Sequence, residues 1–133
     1  SKWEEIINAK NLIKSSTLHL LHCVSSYPTN AKNVNLPRIN KLLEIHPHVG
    51  YSGHLKGIDD AIASLNYKPS FIEKHFTVDN NLPGRDNEFS ITPEELKRLV
   101  DYKNSFELMN LDLGNEMQDI ESDVNQNYRG RWS

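Results

Sequence analysis

Trp3, Ile6, Ile7 and Ile13 recur near helical spacing, so the first fourteen residues read as an amphipathic helix. Leu18 to Val24 then form a nearly continuous apolar run, interrupted by His19 and His22 and closed by Ser25-Ser26-Tyr27-Pro28, which predicts a buried strand of the parallel type. Leu36, Ile39, Leu42 and Leu43 share one face of a helix that Asn35 is placed to cap and Pro37 to start, ending near Ile45. After Pro47, the run His48-Val49-Gly50-Tyr51-Ser52-Gly53-His54 reads as a short strand passing into a loop. Ile58, Ala61, Ile62 and Leu65 fall at i, i+3, i+4 and i+7 and predict a helix over 58–65. Phe71 to Thr77 is rich in aromatic and β-branched residues, as a third strand should be. Thr92-Pro93-Glu94-Glu95 supplies a cap, a first-turn proline and a capping-box glutamate for a long helix from 93 to about 109, with Leu96, Leu99, Val100 and Phe106 as its packing side.

The order is α-β-α-β-α-β-α, which demands an α/β fold with parallel strands and right-handed crossovers. Three strands leave open edges. Residues 113–133 are rich in Asn, Asp and Gln and read as a linker or mobile tail behind a folded unit of residues 1–112. The 133 residues fit one modest domain and amount to about half of the roughly 250 that a closed (β/α)₈ barrel needs. The chain lacks an initiator Met and reads as a piece of something longer.

Charge and composition narrow the partners. Fifteen basic side chains stand against 18 acidic ones, and the basic residues are scattered, which argues against a nucleic-acid groove. No apolar run approaches the roughly 20 residues that span a bilayer, and Ser1-Lys2-Trp3-Glu4-Glu5 has no signal-peptide pattern, so no membrane partner is expected. The single Cys23 excludes an intrachain disulfide and suits a cytoplasmic location.

In a parallel sheet, functional groups collect where the βα loops open, at the C-terminal strand ends. Period-two alternation puts Gly50, Ser52 and His54 on one face, likewise Phe71, Glu73 and His75, and likewise Cys23, Ser25 and Tyr27. If the second and third strands are neighbours, His54 and His75 project into one mouth and form a reasonable divalent-metal site. On spacing alone, a structural or surface role for such a pair is the commoner outcome. Ser52 suits a phosphate oxygen or merely tight packing; Asp86 suits a polyol hydroxyl or a solvated turn. Glu73 and Lys74 lie on opposite faces of one strand and need separate partners if buried. His19, His22, His46 and His48 read as packing or surface residues, and Cys23 as a small apolar one.

Longer strings then matter. Leu21-His22-Cys23-Val24-Ser25-Ser26-Tyr27-Pro28-Thr29, Val49-Gly50-Tyr51-Ser52-Gly53-His54 and Ile72-Glu73-Lys74-His75-Phe76-Thr77-Val78-Asp79 resemble successive motifs of the sialic acid synthase (N-acetylneuraminate synthase) family. Asn81-Leu82-Pro83-Gly84-Arg85-Asp86 and Ser90-Ile91-Thr92-Pro93-Glu94-Glu95-Leu96 continue the pattern, and the resemblance covers residues 1 to about 110 in order. It implies a partial TIM (β/α)₈ barrel, consisting of the last three strands with their helices. The implied activity is a synthase that condenses phosphoenolpyruvate with an N-acetylated sugar aldehyde of the N-acetylmannosamine type, giving a nine-carbon 2-keto sugar acid and phosphate. It further implies that His54 and His75 hold manganese, or magnesium or cobalt in its place, as a Lewis acid on the aldehyde oxygen. Ser52 is implied near the phosphate or carboxylate of phosphoenolpyruvate, Tyr27 and Asp86 at substrate, with Asp86 on a sugar hydroxyl, and Ser25 where some relatives carry Asn.

The departures are specific. Gly53 stands where many relatives have Asp, although a subset also has Gly; Lys68-Pro69-Ser70 replaces a small Gly-Ala pair; Arg85 and Asn87 replace a common Pro or Ser and a common His or Gln. The family's amino-terminal strands, with an acidic residue and phosphate-binding lysines, and its antifreeze-like domain are not within these residues. The chain alone is therefore expected to be inactive. The parent is expected to be a homo-oligomer. The alternative is a non-catalytic partial-barrel module that self-associates through its open sheet edges.

Overall fold

The computed structural model describes residues 1–14 and 17–130. Its elements are α1 (Trp3–Leu12), β1 (Leu20–Cys23), α2 (Arg38–Leu43), β2 (Val49–Gly53), α3 (Asp59–Ser64), β3 (Ile72–Lys74), α4 (Pro93–Met109) and α5 (Ser122–Asn127), with short 3₁₀ turns between them. The three strands form one parallel sheet in the order β1-β2-β3. Cys23 lies opposite Ser52, and Ser52 lies opposite Glu73, so one row of side chains crosses all three strands.

The central strand is buried along its whole length. On its helix-facing side, Val49 and Tyr51 pack with Val34, Ile39 and Leu42, and Ile6, Leu20 and Ile72 close around them. Burying a side chain such as Ile39 contributes about 1.5–3 kcal/mol, so this cluster and α2 hold each other in place. A second cluster joins Ile58, Ala61, Ile91 and Leu99, tying α3 to α4. Helix α4 has the predicted cap: the Glu95 amide donates to Thr92 Oγ1 at 3.3 Å, and the Thr92 amide donates to Glu95 Oε2 at 2.9 Å.

Two expectations are corrected. Asn35 does not cap α2; it adopts a left-handed conformation at φ 51° in a turn in which its carbonyl accepts from the Arg38 amide, and Pro37 occupies the capping position. The expected packing side of α4 is only partly covered: Leu99 is buried, but Leu96 and Val100 are exposed, because no described element lies over them. Within the expected linker or tail lie α5 and the 3₁₀ turn Asp119–Glu121; residues 131–133 lie outside the described residues. No described helix is long and apolar enough to cross a membrane.

Candidate functional site

The sheet face away from the helices carries its side chains in layers. Gly50 lies under the Phe71 ring, which leaves no room for a β-carbon: one would stand 2.9 Å from Phe71 Cζ. The next layer is Cys23, Ser52 and Glu73, where Ser52 Oγ donates to Glu73 Oε1 at 2.7 Å. His54 and His75 are each the first residue beyond their strand and form the layer above. Their ring centroids are 5.2 Å apart with the planes inclined at 50°. Tyr27 packs its ring 4.4 Å from His54 and 6.1 Å from His75, and Phe89 lies 5.5 Å from His75. A pocket of about 120 Å³ opens among Ser52, His54, Glu73, Lys74 and His75.

Burial, followed by the neighbouring His75, lowers the His54 pKa; Lys74 adds to this, while the Val24 backbone and Glu73 oppose it. A neutral imidazole keeps a nitrogen lone pair available to a metal. His54 Nδ1 also lies 3.8 Å from Cys23 Sγ, within hydrogen-bond reach of a sulfur. Among the described residues no group of three His, Cys, Asp or Glu side chains is placed to hold a metal. The two imidazoles would supply two ligands to a divalent ion held between them, the remaining positions falling to water or substrate oxygen.

Beneath the pair lies a buried ionic network. Lys74 Nζ donates to Asp60 Oδ1 at 3.0 Å and Oδ2 at 3.2 Å, and Tyr51 Oη donates to Asp60 Oδ2 at 2.9 Å. Burial, then the Asp60 charge, pushes the Tyr51 phenol pKa far up, which keeps it a neutral donor. Lys74 thus faces the helices and Glu73 faces the pocket, so the two charges that alternation placed on opposite faces have different partners. Asp60 also accounts for Gly53: any β-carbon there would collide with its carboxylate.

The structure brings Tyr27, Ser52, His54 and His75 together, with Ser25 alongside through a 4.0 Å contact of its Oγ with Cys23 Sγ. No hydrogen bond or ion pair joins Asp86 to this set among the described residues. Its carbonyl accepts from Ser90 Oγ at 2.8 Å at the head of a 3₁₀ turn, and its carboxylate makes no hydrogen bond or ion pair among the described residues. Sequence reasoning missed Phe89, Asp60 and the loop-binding amides. Asn80 Nδ2 donates to the carbonyls of Asn87 at 2.9 Å and Ser90 at 2.8 Å, and Asn87 Nδ2 donates to those of Asp79 at 2.6 Å and Leu82 at 3.0 Å. Asn87 therefore braces the loop. The signal available was the density of Asn around Pro83-Gly84, which marks a side-chain-stitched turn.

The profile of the NeuB family matches residues 1–115. The chain belongs to the NeuB family, that of the sialic acid synthases. It is 40% identical over 99 residues to the N,N'-diacetyllegionaminic acid synthase of Campylobacter jejuni, covering 72% of this chain and 30% of that protein. It is 41% identical over 91 residues to the N-acetylneuraminate-9-phosphate synthase of Drosophila melanogaster, covering 67% of this chain and 24% of that one. The crystal structure of the N-acetylneuraminic acid synthetase of Leptospira borgpetersenii in complex with citrate superposes with a TM-score of 0.80 at 34% identity, covering 98% of this chain and 48% of that chain. Relative to these members, the NeuB chain described here spans under a third of the curated proteins and about half of the solved one.

Proposed function

We propose that the chain is the C-terminal part of a (β/α)₈ barrel, its last three strands with their helices, in a synthase that condenses phosphoenolpyruvate with an N-acetylated sugar aldehyde. The enol carbon attacks the aldehyde carbon, water adds at C2 of phosphoenolpyruvate, and phosphate leaves as the nine-carbon 2-keto acid forms. Manganese, or magnesium or cobalt, held by His54 and His75, supplies Lewis acidity to the aldehyde oxygen when bound. The chain's own groups do the rest of the positioning on this side. Ser52 presents its hydroxyl to the phosphate or carboxylate of phosphoenolpyruvate, Ser25 and Tyr27 contact substrate, and Asp86 offers an unpaired carboxylate to a sugar hydroxyl. Tyr27 and Phe89 pack around the imidazoles and limit water there.

The observation that supports this most directly is the 5.2 Å approach of His54 and His75 at adjacent strand ends. The test is Mn²⁺ titration of the labelled chain, followed by paramagnetic broadening of the two rings. Broadening of both, abolished in His54→Ala and His75→Ala, is the expected result; its absence from the unmodified chain, or its persistence in both variants, sinks the reading. Alone, the chain should release no phosphate from phosphoenolpyruvate and N-acetylmannosamine, since the phosphate-binding side of the barrel is not within it. The open edges of β1 and β3 favour a second reading, a self-associating non-catalytic module. That reading predicts oligomers in sedimentation and indifference to divalent ions.

A further inference from the structure

A ring that grips a cation is only as well aimed as the backbone beneath it. His54 is the first residue beyond β2, where the ladder no longer holds the chain. Two side chains take over. Lys74 Nζ donates to the Leu55 carbonyl at 2.6 Å, and Asp60 Oδ2 accepts from the Leu55 amide at 3.4 Å, so both peptide groups of the residue after His54 are held from β3 and α3. The Thr29 amide donates to the His54 carbonyl at 2.8 Å, which ties the same stretch to the loop carrying Tyr27. The Asp60 carboxylate is itself saturated by Tyr51, Lys74, Leu55 and the Ala61 amide, and the two ionic side chains are 0% and 4% exposed.

A buried ion pair is a poor way to obtain stability, because an apolar pair of similar volume does as well or better. This one sits where the candidate ligand leaves its strand, and Gly53 is confined to glycine by it. We propose that Asp60 and Lys74 are positioning residues for His54, clamping the Leu55 peptides so that the imidazole is aimed at His75. The proposal rests on the reading of His54 as a metal ligand.

The test compares the unmodified chain with Asp60→Leu/Lys74→Met, which replaces the pair by apolar groups, and with Asp60→Asn, which keeps the shape of the side chain. Four readouts are taken: urea midpoint, exchange of the Leu55 amide, the nuclear Overhauser contact between the His54 and Tyr27 rings, and Mn²⁺ affinity by line broadening. The expected result is a folded double variant that loses Leu55 protection and the ring contact, with Mn²⁺ affinity down about ten- to a hundredfold. Asp60→Asn should move the same readouts less, and decides the matter if the double variant does not fold. A Leu55 amide that exchanges freely in the unmodified chain, or folded variants that keep ring contact and affinity, overturns the proposal. If the unmodified chain binds no Mn²⁺, the ligand reading fails, while Leu55 exchange and the ring contact still judge the clamp.

Discussion

Ser52 Oγ donates a 2.7 Å hydrogen bond to Glu73 Oε1 across the β2–β3 register, one layer below the His54 and His75 rings. The hydroxyl is buried while Glu73 remains exposed to water, so the carboxylate can recover hydration when the donor is lost. Ser52→Ala is therefore expected to cost about 1 kcal/mol, read as a lower urea midpoint, and to leave Mn²⁺ broadening of both rings intact. A loss of broadening would mean that Ser52 holds the imidazoles as well as the strand pair.

His22 makes stability depend on pH. It is 2% exposed beneath Tyr51, and its Nε2–H donates to the Val34 carbonyl at 2.8 Å. Burial, and to a smaller extent Arg38, lowers its pKa below the ordinary 6.5, although the Val34 bond pulls it back up. The unfolded chain then takes up a proton before the folded one does. Stability is undiminished by this group above pH 6.5 and is lost as pH falls from there toward the depressed folded value, below which the loss is complete. Urea midpoints from pH 7.5 to 5 should fall, and His22→Gln, which keeps a donor, should flatten that part of the profile.

Asn80 stitches the long loop between β3 and α4 by donating to two or three carbonyls at once. Asn80→Ala removes the donor to the Ser90 carbonyl, while the Asn87 carbonyl keeps the Ser90 amide, at about 1–3 kcal/mol, and the cost falls on the loop rather than on the sheet. Faster tryptic cleavage after Arg85, with little change in the amide exchange of β2, is the expected outcome. Equal loss of protection in both places would show that loop and sheet open together.

Thr92 caps a 17-residue helix of which Leu99 alone is buried, so α4 depends heavily on its end. Thr92→Ala should cost about 1 kcal/mol and fray the first turn, seen as faster exchange of the Glu95 and Leu96 amides; Thr92→Ser should behave like the original.

How much was legible follows the range of the interaction. Helix α4 occupies the residues expected of it because its cap, first-turn proline and capping-box glutamate act within four residues. The division of Ser52 and His54 from Tyr51, and of Glu73 from Lys74, follows from strand alternation, which is equally local. Asn35 misled because a side chain suited to capping is also suited to a left-handed turn, and the short span before Pro37 selected the turn. Leu96 and Val100 misled because amphipathic spacing marks a face that seeks a partner, not one that has found it in this chain.

The amino-acid sequence by itself determined helices α1 to α4, the strand faces and the family motifs, since capping, periodicity and short strings need only neighbouring residues. Tertiary structure alone decided that β2 lies between β1 and β3, that His54 meets His75 and Tyr27, and that Lys74 finds Asp60 rather than Glu73. Those outcomes depend on contacts between residues 14 to 31 or more apart in the chain, such as Asp60 with Lys74 and Cys23 with His54. They depend on burial, which makes an unpaired charge too costly to leave and which no local pattern can express.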